Sequence, residues 1–142
     1  MKLREIMVDR VEVIHPNDTL QTAAQKMRDH DIGILPVCDG DRLTGMLSDR
    51  DIIIRATAVG IEPNAKVGRQ LATAPVIYCY DDQDVDEAAQ IMQSNQIRRL
   101  PILSRKDKRL VGIIALSDVA LNTDDRTSGH VLQSVSEPDG IV

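Results

Sequence analysis

Two tetrapeptides, Ser48-Asp49-Arg50-Asp51 and Ala115-Leu116-Ser117-Asp118, each place an aspartate three residues after their first residue, where an apolar stretch gives way to a helix start. At the mouth of a helix that spacing supports two kinds of chemistry. A serine N-cap with an acid three residues on is a variant of the capping box, contributing ~0.5–2 kcal/mol with no ligand at all. The same helix start offers backbone N–H donors, and in the first copy a hydroxyl, to an anion. The residues alone leave both readings open. Arg98 and Arg99 form a second constellation, since strand alternation sends one side chain to each face. A guanidinium on the inner face suits a phosphate, and the alternative is an ion pair with one of the 22 acids. Arg105, Lys106, Lys108 and Arg109 bracket a turn and read as a solvated basic patch.

The remaining reactive residue types point away from catalysis. His15, His30 and His130 lack the spacing to Cys or acids that metal ligation requires, so no metal is expected. Cys38 and Cys79 are too few for a disulfide framework and read as buried, inert thiols. No glycine-rich phosphate loop, nucleophile elbow or paired-acid motif is present. Phe and Trp are absent and the only aromatics are two tyrosines, which argues against stacking of nucleic-acid bases. A net charge of −5 gives no general attraction to DNA or an anionic membrane. No apolar run approaches the ~20 residues of a membrane span, and an acid at Glu5 spoils a signal peptide. These features predict a soluble cytoplasmic chain with no nucleic-acid or membrane partner.

The elements that must position the two aspartates come from a repeat. Shifted by 65 positions, residues 4–39 align with 69–104 without a gap, pairing Val11/Val76, Ala23/Ala88, Ala24/Ala89, Met27/Met92, Ile32/Ile97, Leu35/Leu100 and Pro36/Pro101. A two-residue insertion in the second copy carries the match on through Gly45/Gly112 and Asp51/Asp118. Each copy predicts a strand (11–14, 76–79), an amphipathic helix on the Ala-Ala-Met stripe, a hairpin of two strands (32–37 with 43–47, 101–103 with 110–115), and a second helix from Ser48 or Ser117. Pro36 and Pro101 read as edge residues that blunt pairing. The predicted fold is α+β (α/β): two β-α-β-β-α modules about a pseudo-twofold axis, their small sheets packed together with helices outside. The expected boundaries are 1–59 and 68–122, a linker at 60–67 and a loosely ordered tail at 123–142.

Asp31-Ile32-Gly33-Ile34-Leu35-Pro36-Val37 and Gln96-Ile97-Arg98-Arg99-Leu100-Pro101-Ile102, each followed by its Gly-to-Asp segment (45–52 and 112–119), resemble a tandem pair of cystathionine-β-synthase-type (CBS) domains, a Bateman module. The resemblance covers roughly residues 1–122. It implies a non-catalytic sensory or regulatory module that binds AMP, ADP, ATP or an NAD-type dinucleotide between the modules as a regulatory ligand, with no cofactor required. It assigns the ribose to Asp51 and Asp118, whose carboxylates suit two vicinal hydroxyls. Phosphate falls to Ser48 and to Arg98 or Arg99, and adenine to an aliphatic slot of Val11, Ile34 and Pro36 with Val76 and Pro101. Ala115, where the family's signature has a hydroxyl, departs from the pattern and predicts a weaker phosphate contact in the second copy. The competing reading is a scaffold with degenerate ligand sites and an unidentified protein target. Apolar Ile52, Ile53, Ile54 and Val59 around one short helix predict a homodimer.

Overall fold

The computed structural model describes residues 1–68 and 71–137. Arg69 and Gln70 of the expected second module, and residues 138–142 of the expected tail, lie outside the described residues. The chain divides into two compact units, Glu12–Val76 and the pair of segments Met1–Val11 and Ile77–Val142.

In the Glu12–Val76 unit, α1 (Leu20–His30) starts where the Thr19 side chain accepts the Thr22 N–H. It buries Leu20, Ala23 and Met27 of the stripe that the sequence spacing marks, while Ala24 is exposed. An antiparallel hairpin follows, β1 (Ile34–Asp39) with β2 (Arg42–Ser48). A helical run comes next: a first turn, α2 (Asp49–Asp51), then a π turn (Ile52–Ala56) and a 3₁₀ turn (Thr57–Val59). Gly60 ends it at φ 79°, the left-handed conformation that glycine adopts without a Cβ penalty.

The second unit repeats the order. Its parts are a 3₁₀ turn (Leu3–Glu5), β3 (Cys79–Tyr80), α3 (Val85–Asn95), β4 (Arg99–Leu103), β5 (Leu110–Ala115) and α4 (Leu116–Leu121). Its sheet runs β3-β4-β5, with β3 parallel and β5 antiparallel to β4. Leu3, Met92, Leu100, Ile102 and Ile114 are fully buried in its core.

The leading strands, the position of Pro101 and the tail differ from expectation. The predicted strand at 11–14 shrinks to one parallel bridge, Ile14 with Val37, and that at 76–79 begins only at Cys79. Proline explains both. Extending the parallel ladder backward by one pair would need N–H donors from Pro36 and Pro101, which have none. Pro101 moreover lies on the central strand β4, not an edge, and is tolerated because β3 pairs only from Ile102 onward.

The packing units cut across the sequence repeats. Residues 1–11 pack with the second unit, where Val8 bridges Ile113; Thr73, 65 residues on, bridges Met46 in the first. Each leading segment therefore joins the hairpin of the other repeat. Gly112 and Gly45 make room for this: a Cβ on Gly112 would collide with the Met7 side chain, and one on Gly45 would lie 3.2 Å from Ala72 Cβ and 3.3 Å from Thr73 O. Of the expected linker at 60–67, residues 60–64 and Lys66 are exposed, while Val67 is fully buried and its N–H donates to Asp18 O.

The expected loose tail instead carries a helix, α5 (Asp125–Ser136), capped by the Asp124 carboxylate accepting the Thr127 N–H. Val131 and Val135 enter the core beside Ala88 and Met92. The accumulation of Asp, Ser and Gly masks an apolar i, i+4 pair, and burial of that pair holds the helix down.

Candidate functional site

The two marked aspartates occupy equivalent positions at the ends of β2 and β5. Ser48 N–H donates to Asp51 Oδ2 at 2.8 Å, and Asp51 N–H donates to Ser48 Oγ at 3.0 Å. This is a complete reciprocal capping box. In the second unit, Ala115 N–H donates to Asp118 Oδ2 at 2.8 Å, and alanine has no oxygen to return the bond. Ser48 (φ −104°, ψ 161°) and Ala115 (φ −106°, ψ 162°) have the same backbone conformation. The box is complete at the first helix start and half-formed at the second, and each carboxylate is fixed through Oδ2. The Asp51 side chain is 16% exposed, and its Oδ1 lies 3.7 Å from Arg55 Nε. A fixed carboxylate of this kind retains acceptor capacity for hydroxyl donors.

Strand register sorts the other candidates. Ile34 stands opposite Ser48 and Pro36 opposite Met46, so Ser48, Ile34, Met46 and Pro36 share one face of the hairpin. Leu35 and Leu47 take the core face. In the second unit Arg99 stands opposite Ala115 and Pro101 opposite Ile113, with Leu100 and Ile114 in the core. Both faces are apolar in their inner part and end at an aspartate, which suits a flat apolar group carrying a polyol. Arg98 sits in the bend before β4, where its carbonyl accepts the Leu116 N–H at 2.8 Å. Both arginines are exposed, and among the described residues neither forms an ion pair.

Val11 and Val76 lie outside the strands. The division into units reverses their expected partners, Val76 falling with Ile34 and Pro36 and Val11 with Pro101. This follows from the exchange of leading segments.

Sequence reasoning missed Asp49. Its Oδ2 would lie 3.0 Å from a Cβ on Gly33, so this carboxylate rests directly over the Gly33 backbone. At the matched positions the second unit has Arg98 and Leu116. The paired exchange Gly33/Arg98 with Asp49/Leu116 was visible in the repeat alignment, but only the backbone bonds Asp49 N–H to Gly33 O and Leu116 N–H to Arg98 O show that the two positions touch.

The cysteines are buried in β1 and β3. Loss of solvation pushes each thiol up to about 11, with the charges of Asp41 (on Cys38) and Glu87 (on Cys79) adding to it. No helix among the described residues is long and apolar enough to cross a membrane.

The twice-repeated helix, hairpin and second helix, each second helix opening just before an aspartate, define a small duplicated α+β module. The model of the CBS domain matches the chain twice, at residues 3–57 and 67–122, and the chain belongs to the CBS-domain family. It is 38% identical over 136 residues to hypoxic response protein 1 of Mycobacterium tuberculosis, covering 95% of this chain and 94% of that one. A crystal structure of hypoxic response protein I with two coordinated zinc ions superposes with a TM-score of 0.78 at 42% identity, covering 87% of this chain and 100% of that one. A CBS-domain pair in complex with 5′-methylthioadenosine and S-adenosyl-L-methionine gives 0.72 at 25% identity, over 85% and 94%. CBS pairs are in general regulatory modules.

Proposed function

We propose that this chain is a regulatory module that binds an adenine nucleotide or related adenosyl compound, and that it does so without catalysing a reaction. The observation that carries this reading is the pair of carboxylates Asp51 and Asp118, each fixed by the backbone N–H three residues before it and each ending an apolar strand face. A carboxylate held by a capping bond loses little further freedom when it accepts two ribose hydroxyls. Ile34 and Pro36, and Pro101 in the second unit, supply aliphatic surface for adenine. The solved relative holding two adenosyl compounds supports the same ligand class. The ligand is regulatory, so no resident cofactor is part of this reading, and we assign the chain to the cytoplasm.

Calorimetric titration with AMP, ATP, NAD and 5′-methylthioadenosine tests it. Asp51→Ala and Asp118→Ala should each remove one class of site while leaving the fold intact. Absence of heat from every one of these compounds would overturn the reading in favour of a scaffold with degenerate sites.

The zinc ions belong to that relative's structure and are not part of this reading. His15 lies 3.3 Å from Asp39 and His30 3.5 Å from Glu12, and no group of three His, Cys, Asp or Glu side chains converges among the described residues. Structural zinc requires four ligands and catalytic zinc three.

We also propose a homodimer. Ile53, Ile54 and Val59 of the helical run are 57%, 51% and 68% exposed, three large apolar side chains within seven residues that a second copy would cover. Light scattering should give twice the chain mass of 15.7 kDa, and a monomer mass at micromolar concentration would refute the dimer.

A further inference from the structure

We infer that the two repeats are sorted by charge: the Asp118 position takes the phosphorylated ligand, a nucleoside di- or triphosphate, and the Asp51 position an adenosyl ligand without phosphate. The inference rests on the adenosyl-binding reading above and reverses the ranking that Ser48 against Ala115 predicts from sequence alone. In the second unit Arg99 stands opposite Ala115, on the strand face that ends at Asp118. Arg98 precedes it, hydrogen-bonded through its carbonyl to the residue after Ala115. Arg99 is exposed on that face, and Arg98 is exposed in the bend just before it. Guanidinium is the side chain best matched to phosphate, binding it through paired N–H donors.

The first unit inverts this arrangement. Ile34 replaces Arg99 opposite Ser48, and Gly33 replaces Arg98. The space an arginine would leave from is filled by the Asp49 carboxylate, 3.0 Å from where a Cβ on Gly33 would sit. Asp49 and Asp51 are accompanied by Arg50 and by Arg55, which lies 3.7 Å from Asp51 Oδ1 and offsets its charge. The Ser48 oxygen already accepts the Asp51 N–H. A polyphosphate here would meet a carboxylate where the other unit offers a guanidinium, and like charges at such range oppose binding. A neutral or cationic adenosyl group meets no such penalty.

The experiment is calorimetry on the full chain with ADP, adenosine and 5′-methylthioadenosine, at low and at moderate salt. Arg98→Ala/Arg99→Ala should weaken ADP by about ten- to a hundredfold, the worth of one charged hydrogen bond, and leave adenosine and 5′-methylthioadenosine within about twofold. Arg99→Lys should recover part of the ADP affinity, and ADP alone should weaken with salt. Asp49→Asn should let ADP compete at the second class of site. Both arginines are exposed, so unchanged thermal unfolding confirms that the variants fold. Equal loss of ADP and adenosine in the double variant, or no loss of either, overturns the sorting while leaving adenosyl binding intact. Failure of all three compounds to bind the unaltered chain overturns adenosyl binding itself, and the sorting with it.

Discussion

Ala115→Ser should stabilise the protein by installing the missing half of a capping box. The backbone there already has the geometry of Ser48, differing by 2° in φ (−106° against −104°) and 1° in ψ (162° against 161°). Asp118 already supplies the returning bond, accepting the Ala115 N–H at 2.8 Å. The hydroxyl would therefore accept the Asp118 N–H as Ser48 Oγ accepts that of Asp51 at 3.0 Å, with no rearrangement. Replacing alanine by serine at an N-cap is worth typically ~1 kcal/mol. For a chain of this size that corresponds to a rise in Tm of roughly 2–4 °C. Ser48→Ala should lower Tm by a similar amount, because it leaves the first box with only its Asp51 half. Thermal and urea unfolding followed by circular dichroism would measure both. If Ser48→Ala destabilises while Ala115→Ser leaves Tm unchanged or lowers it, the two helix starts are not equivalent and the symmetry argument fails.

Val131→Ala should cost ~2 kcal/mol, because this fully buried side chain anchors α5 in the second core; a change within experimental error in urea unfolding would show the helix to be dispensable. The thiols of Cys38 and Cys79, raised to about 11 by burial, should resist iodoacetamide in the folded protein near neutral pH and react fully after denaturation; stoichiometric native labelling would refute their burial. The Arg105 guanidinium, 2.7 Å from Asp82 Oδ2, holds that carboxyl below its usual value. Stability from this pair is therefore present above the ordinary carboxylate range, about pH 4, and is lost as pH falls through the lowered folded value. Arg105→Gln should flatten the acid side of the Tm–pH profile, and an unchanged profile would count against the pair.

Local patterning was enough to define the repeated elements. The Ala-Ala-Met stripe marks both amphipathic helices because their buried positions recur within one helical face. The apolar runs around Leu35 and Leu100, each followed by a polar turn, mark both hairpins. The aspartates were legible because a cap is a local device: Ser48 and Asp51 are three residues apart and need no distant partner to meet. What the sequence could not determine was which distant segments complete each unit. Met1–Val11 joins the later repeat and residues 60–76 join the earlier one, an exchange fixed by the close approaches at Gly112 and Gly45 and by the burial of Leu3, Val67 and Leu71. The α5 helix escaped detection because only the tertiary core gives Val131 and Val135 something to pack against. The charge contrast at the two sites was hidden in the same way. Gly33 and Asp49 are sixteen residues apart in the chain, and only the hairpin brings that carboxylate onto the place that Arg98 occupies in the other repeat.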